Sequence, residues 1–225
     1  MMPRPEQATI DGEPRAETAY QARNVGEARL AMRNRQPDRI ETERLVLRRF
    51  EQRDVDALAR QLALREMAMG LGRLPHPYGS TEARDFIAYA ATGAEDIHAV
   101  CLRERDEPIG SCGIGMRRIA DGTDRATLGY WIGRDHWNQG YASEAVAAKL
   151  FEHFAGGGGT VQARVFQDNP GSRAVLEHVG FRIVASGLDT NAVREGDHPV
   201  WIAACTADDF RNASWNIDSR GRTGQ

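Results

Sequence analysis

The chain has few cysteines, a single lysine, no long apolar run and no marked excess of charge. Its three cysteines, Cys101, Cys112 and Cys205, lie in strand-like runs and form no C-x-x-C pair. That pattern argues against a disulfide framework and implies reduced, buried thiols in a cytoplasmic protein. No two histidines stand at metal-ligand spacing either, so no metal is expected. The apolar stretches are strand-length and interrupted, which argues against a transmembrane helix, and the polar, Arg- and Glu-bearing first residues do not resemble a signal peptide. The formal net charge is only −3, with basic residues dispersed among acids, so neither a nucleic-acid stripe nor a membrane-binding surface is expected. Lys149 is the only lysine, and the reliance on arginine reflects coding bias more than function. The G-x-G-x-x-G pattern of a dinucleotide fold is also missing.

What is present centres on residues 129–154, GYWIGRDHWNQGYASEAVAAKLFEHF. The stretch reads as a buried strand ending at Ile132 or Gly133, a tight loop through Asn138, Gln139 and Gly140, and an amphipathic helix with Val146, Leu150 and Phe154 on one face. Gly140 and Ala142 have small or no side chains at the helix start, where unpaired N–H groups and the helix dipole favour a phosphate or pyrophosphate. Ser143 and Glu144 add local capping chemistry. A second motif, Asp168-Asn169-Pro170-Gly171-Ser172, opens a short helix that reaches Val179.

The rest of the chain frames these motifs. Residues 1–38 are rich in Arg, Glu, Pro, Ala and Gln and read as a flexible arm, with a short helix over 20–32 conceivable against a partner. A single domain is expected over 39–210, followed by a flexible tail over 211–225. An alternating strand at 43–50 precedes a helix capped by Asp54, with Val55, Leu58 and Leu62 on one face. Residues 67–78 contain two glycines and two prolines and should be irregular. Ser80 or Thr81 should cap a second helix. Strands follow at 97–102, 109–117 and 125–132, the last two joined at a hairpin turn by Asp121 and Gly122. After the central helix, the four glycines at 156–159 read as a helix exit. Strands at 160–166, 181–184 and 200–205 close the sheet, with a loop or wide hairpin over 187–197. Hairpins that give way to strand–helix–strand argue for an α+β or mixed α/β domain.

The order and spacing of these motifs resemble the GNAT superfamily of N-acetyltransferases, and most closely its RimJ/RimL-like branch of ribosomal-protein N-terminal acetyltransferases. The likeness covers about residues 40–210, including the ETERLVLRRF opening. It implies a central twisted mixed sheet of six to seven strands with helices on both faces. Two of the parallel strands, 128–133 and 160–166, should splay to form the acetyl-CoA site. By the same resemblance Trp137, Asn138, Gln139, Gly140, Tyr141, Ala142 and Ser143 grip the pyrophosphate of acetyl-CoA, the cosubstrate. Backbone groups at Trp131 and Ile132 hold the pantetheine, and Asn169 hydrogen-bonds it. Ser172 serves the leaving thiolate as the second catalytic candidate beside Asn169. Read from the residues alone, Asn-Pro-Gly-Ser is equally a good helix start.

The chain departs from the family pattern at three points. Trp137 stands where Gln or Arg is usual, as is common in this branch, and Asn138 replaces a frequent glycine. Thr127 also occupies a position where many relatives carry a glutamate base, leaving His76, His98, Asp121 and Asp168 as candidates acting through a water. The implied acceptor is a primary amine, either a protein N-terminus or a small molecule, with Met67, Met69, Leu71, His76 and Tyr78 as candidate contacts. Homodimerisation stays open. The alternative class is a regulatory module that binds acyl-CoA without turnover.

Overall fold

The computed structural model describes residues 37–72, 74–119 and 122–215. One mixed sheet of eight strands runs through them in the order β1-β2-β3-β4-β5-β6-β8-β7. The strands are β1 (Arg39–Glu41), β2 (Leu45–Arg48), β3 (Asp96–Leu102), β4 (Pro108–Arg118), β5 (Asp124–Ile132), β6 (Val161–Phe166), β7 (Arg182–Asp189) and β8 (His198–Cys205). Every neighbouring pair is antiparallel except β5 and β6. That one parallel pair requires a crossover, supplied by helix α4 (Tyr141–Ala155).

The remaining helices are α1 (Val55–Leu62), α2 (Arg65–Gly70), α3 (Ser80–Ala91), α5 (Pro170–His178) and α6 (Ala207–Arg211). They cover both faces of the sheet. On one face Leu45, Leu47, Val100 and Ile114 pack with Val146 and Leu150 of α4 and Leu176 of α5. On the other, Ala99 and Cys101 meet Val55, Leu58 and Leu62 of α1 and Ile87 of α3. The alternation along β3 is what a strand buried on both sides produces. No helix among the described residues is long and apolar enough to cross a membrane.

Several local expectations need correction. The eighth strand is β1, three residues held by pairing with β2 and too short for a periodic signal. Asp54 does not cap α1 with its side chain. It is buried in a two-pronged pair with Arg48, at 2.8 and 2.9 Å, and accepts from the Glu51 N–H. Residues 65–70 are helical because their glycines and prolines all come at or after the helix end. Gly79, not Ser80 or Thr81, is the N-cap of α3, and Glu82 accepts its N–H at 2.8 Å. Strand β7 continues through Asp189, into the segment expected to be loop, because β8 pairs along its whole length.

The four-glycine run is a helix exit with two specific demands. Gly157 has φ +79°, and a side chain on Gly158 would collide with the His153 ring at 2.3 Å. Residues 1–36 of the arm expected over 1–38, its helix over 20–32, residues 216–225 of the tail expected over 211–225 and Asp121 fall outside the described residues.

Candidate active site

The site begins where the sheet stops pairing. Strands β5 and β6 are matched only at Ala126 with Val161 and Thr127 with Gln162. Beyond Thr127, β5 continues to Ile132 on β4 alone, and β6 continues to Phe166 on β8 alone. Two parallel edges therefore diverge, and their backbone groups line a wedge-shaped gap. Gly129 lies on the first of these edges; a Cβ there would meet nothing within 4 Å. Trp131 turns its side chain toward the α1/α3 face. Ile132 is buried, and its carbonyl accepts from the Trp137 indole at 2.6 Å. Trp137 thus ties the following loop to the end of β5, a role its place in the motif did not announce.

That loop runs through a 3-10 turn at Arg134–His136 into the N-terminus of α4. Asn138 has φ 58° and Gly140 φ 80°, so two left-handed residues within three positions fold the main chain back over the helix start. Asparagine is among the few non-glycine residues that tolerate this conformation, which explains how Asn138 stands in for glycine. Residues 137–140 are exposed, while Tyr141, Ala142 and Ser143 are half-buried. The first-turn N–H groups of α4 lack helical acceptors and point at this opening.

Arg44 braces the cradle, and sequence reading missed it. Its Nη1 donates to the Gln139 carbonyl at 2.9 Å, and its guanidinium stacks over Tyr141 at 4.7 Å. Its Nε donates to Glu144 at 2.7 Å. Glu144 is correspondingly not a local cap but a buried carboxylate, and it also accepts from the Thr42 hydroxyl at 2.6 Å and the Arg44 N–H at 2.8 Å. In the sequence Arg44 looked like one more charged position of an exposed strand.

At the far end of β6, Asn169 is the N-cap of α5, its Oδ1 accepting the Ser172 N–H at 3.0 Å. Ser172 is half-buried in the first helical turn. Its Oγ lies 2.8 Å from the phenol oxygen of Tyr130, so this contact joins β5 to the helix that follows β6. Burial pushes the Tyr130 phenol well above its ordinary pKa, so it stays protonated.

A wall closes the site beside Asn169. A Cβ on Gly70, at the end of α2, would stand 3.3 Å from the Asn169 amide nitrogen. Asn191 and Arg194, from the loop between β7 and β8, pin this wall. Asn191 donates to the carbonyls of Ala68 at 2.8 Å and Leu71 at 3.1 Å. Arg194 reaches the Met69 carbonyl at 2.8 Å and Asp168 at 2.7 Å while stacking over Phe166.

Among the expected acceptor contacts, Met67 and Tyr78 are core residues, 3 % and 6 % exposed, and do not face the opening. Met69 and Leu71 are half-buried in the wall, and His76 is exposed.

The base candidates separate sharply. His98 is fully buried between Lys149 and the Pro37 carbonyl, and burial lowers its pKa to about 4. It cannot reach an acceptor. Asp168 adjoins Asn169 but is engaged by Arg194. Cys112 is also sealed in the core, its thiol pushed up to about 12 by burial. No group of three or more His, Cys, Asp or Glu among the described residues could hold a metal ion.

Comparison with known proteins bears on this geometry. Residues 44–182 match the family model described as an acetyltransferase (GNAT) domain. The chain is 33% identical over 146 residues to the uncharacterized N-acetyltransferase p20 of Bacillus licheniformis, covering 63% of this chain and 80% of p20. Among solved structures, Mycobacterium smegmatis RimJ in complex with CoA-disulfide superposes with a TM-score of 0.64 at 23% identity, over 79% of this chain and 90% of RimJ. RimL, a ribosomal L7/L12 alpha-N-protein acetyltransferase in complex with coenzyme A, gives 0.63 at 19% identity, over 76% of this chain and 99% of RimL.

Proposed function

Given that the chain belongs to the GNAT acetyltransferase family, its domain model spanning residues 44–182, we propose that it carries acetyl groups from acetyl-CoA to a protein N-terminal α-amine by direct attack in a ternary complex. The observation that carries this reading is the divergence of β5 from β6 after Thr127, with an exposed helix N-terminus at the end of β5. A gap with bare strand edges suits an extended amide-bearing arm, and a cradle of N–H groups suits a pyrophosphate. The residues fit the cosubstrate in a further respect: the left-handed Gly140 and Arg44 together supply close backbone approach and one cation.

In this reading the first turn of α4, with residues 137–143, binds the pyrophosphate. The backbone of 129–132 aligns the thioester and polarises its carbonyl. Asn169 anchors the arm from beyond the end of β6. Ser172 stabilises the leaving thiolate through its hydroxyl. Alignment of the two reactants can account for about 7–11 kcal/mol of barrier reduction in favourable cases.

An α-amine is the acceptor that best suits this site. Its unperturbed pKa is about 8, against about 10.4 for a lysine, so it needs less help in losing a proton. Thr127 offers no carboxylate base, and Asp168, the acid beside Asn169, is engaged by Arg194. RimL, named for acting on a ribosomal-protein N-terminus, lends support by its shared fold. A small amine is the other acceptor class.

Thiol release from acetyl-CoA with N-terminal peptides, lysine-only peptides and small amines tests the proposal. Release with free N-terminal peptides that Ser172→Ala reduces by about 10-fold or more, at unchanged acetyl-CoA affinity, is the expected result. Release with small amines alone would overturn the acceptor assignment. Tight acetyl-CoA binding with no release for any amine would favour the regulatory alternative.

A further inference from the structure

Tyr130 stands on β5 three residues past the last pairing with β6, and its hydroxyl crosses the gap to the helix that carries Ser172. The phenol oxygen is 2.8 Å from Ser172 Oγ and 3.2 Å from the Ser172 carbonyl oxygen. A phenol has one proton to give, so two arrangements are open. If it donates to the carbonyl, Ser172 must turn its own proton back onto the phenol, and none is left for the gap. If it donates to Oγ, the Ser172 proton is free to point elsewhere. The 2.8 Å contact is a hydrogen bond in either arrangement. Negative charge growing on a sulfur in the gap selects the second, because phenol, hydroxyl and thiolate then form one polarised chain.

We propose that Tyr130 is a positioning residue for Ser172, donating to its Oγ so that the serine proton is aimed into the gap between β5 and β6. The inference rests on the reading that Ser172 stabilises the leaving thiolate. In the reaction the amine nitrogen bonds to the acetyl carbon, the carbon–sulfur bond breaks with its electron pair on sulfur, and the amine's surplus proton passes to solvent. Tyr130 and Ser172 keep their protons throughout and act only through hydrogen bonds. The buried phenol suits this duty, since it resists ionisation and remains a donor. The anchoring of the Ser172 N–H on Asn169 fixes the backbone, so the phenol has only the side-chain rotor left to set.

The test requires no acceptor. The thiol pKa of free coenzyme A bound to the intact protein is read from thiolate ultraviolet absorbance across a pH titration, for wild type, Tyr130→Phe, Ser172→Ala and the double variant. Tyr130→Phe keeps the ring and its packing, and thermal melts confirm that each variant is folded. The expected result is a rise of about 0.5–1 unit in the bound thiol pKa for either single variant. The double variant should rise no further than Ser172→Ala alone, because Tyr130 acts through the serine. A wild-type value in Tyr130→Phe alongside a raised value in Ser172→Ala would overturn the positioning role and leave the function of Ser172 intact. Additive rises in the double variant would also overturn it, by showing that Tyr130 acts independently. No shift in Ser172→Ala would remove both readings, and failure of coenzyme A to bind would remove the proposed function itself.

Discussion

Helix α4 passes through two polar regions built on opposite rules. At its N-terminus, first-turn N–H groups face an exposed loop that holds two left-handed residues. About two turns further on, Lys149 is 1 % exposed and sealed against the sheet, paired with Asp96 and 3.2 Å from His98 Nδ1. Arg49 closes on the same Asp96 at 2.9 Å, and the Pro37 carbonyl meets the other nitrogen of His98 at 3.1 Å. In the sealed cluster the charges answer one another inside the protein. In the cradle donors are left facing outward, tolerable because water can satisfy them. Chemistry-bearing side chains alone would single out the cluster, with its lysine, aspartate and histidine. The pattern of unmet backbone donors singles out the cradle.

Substitutions can break this contrast, beginning with the largest effect. Lys149→Met takes from Asp96 its buried partner and leaves the carboxylate to Arg49, and should lower unfolding free energy by about 3 kcal/mol in urea titrations. Acetyl-CoA affinity of the folded protein should be unchanged; a loss of affinity would mean that the two regions are coupled. Gly140→Val should do the reverse. At φ +80°, with Arg44 3.2 Å from the new Cβ, a branched side chain disrupts the cradle. Affinity for acetyl-CoA should fall by about 100-fold or more with little change in melting temperature.

Acid sharpens the comparison next. Burial lowers the His98 pKa from an unfolded value near 6.5 to about 4. The unfolded chain therefore binds the extra proton first. This contribution is complete above pH about 6.5 and is lost as pH falls toward about 4, on the order of 1–3 kcal/mol. His98→Gln should flatten that part of the stability profile. An unchanged slope would show that another group governs it. The smallest effect is expected at Arg44→Ala, where calorimetry should find acetyl-CoA affinity down by about 5–10-fold with a weaker dependence on salt.

Much of the fold was legible because its signals are local. The β5 strand, the loop and α4 are set by a continuous stretch of periodicity and glycine, and Asn169 with Pro170 marks the start of α5 as a cap should. What stayed hidden depends on partners distant in the chain. Arg44 meets Glu144 across 100 positions, and Asn191 reaches Ala68 across 123. Tyr130 finds Ser172 only because β5 and α5 flank one gap. Asp54 looked like a helix cap because aspartate caps helices, and the buried Arg48 that claims it six residues earlier has no periodic signature. His98 drew attention as a base for its residue type alone, and its burial decides the matter against it.

The central claim is that the gap between β5 and β6 and the cradle at α4 bind the two halves of one ligand. Calorimetric titration of the full chain with acetyl-CoA, dephospho-CoA and free ADP tests it most directly. The account predicts micromolar binding of acetyl-CoA and a loss of about 10-fold or more for ADP, which lacks the arm that lies along the strands. Equal affinity for ADP and acetyl-CoA would contradict the account, since the divergence of β5 and β6 would then contribute nothing to binding.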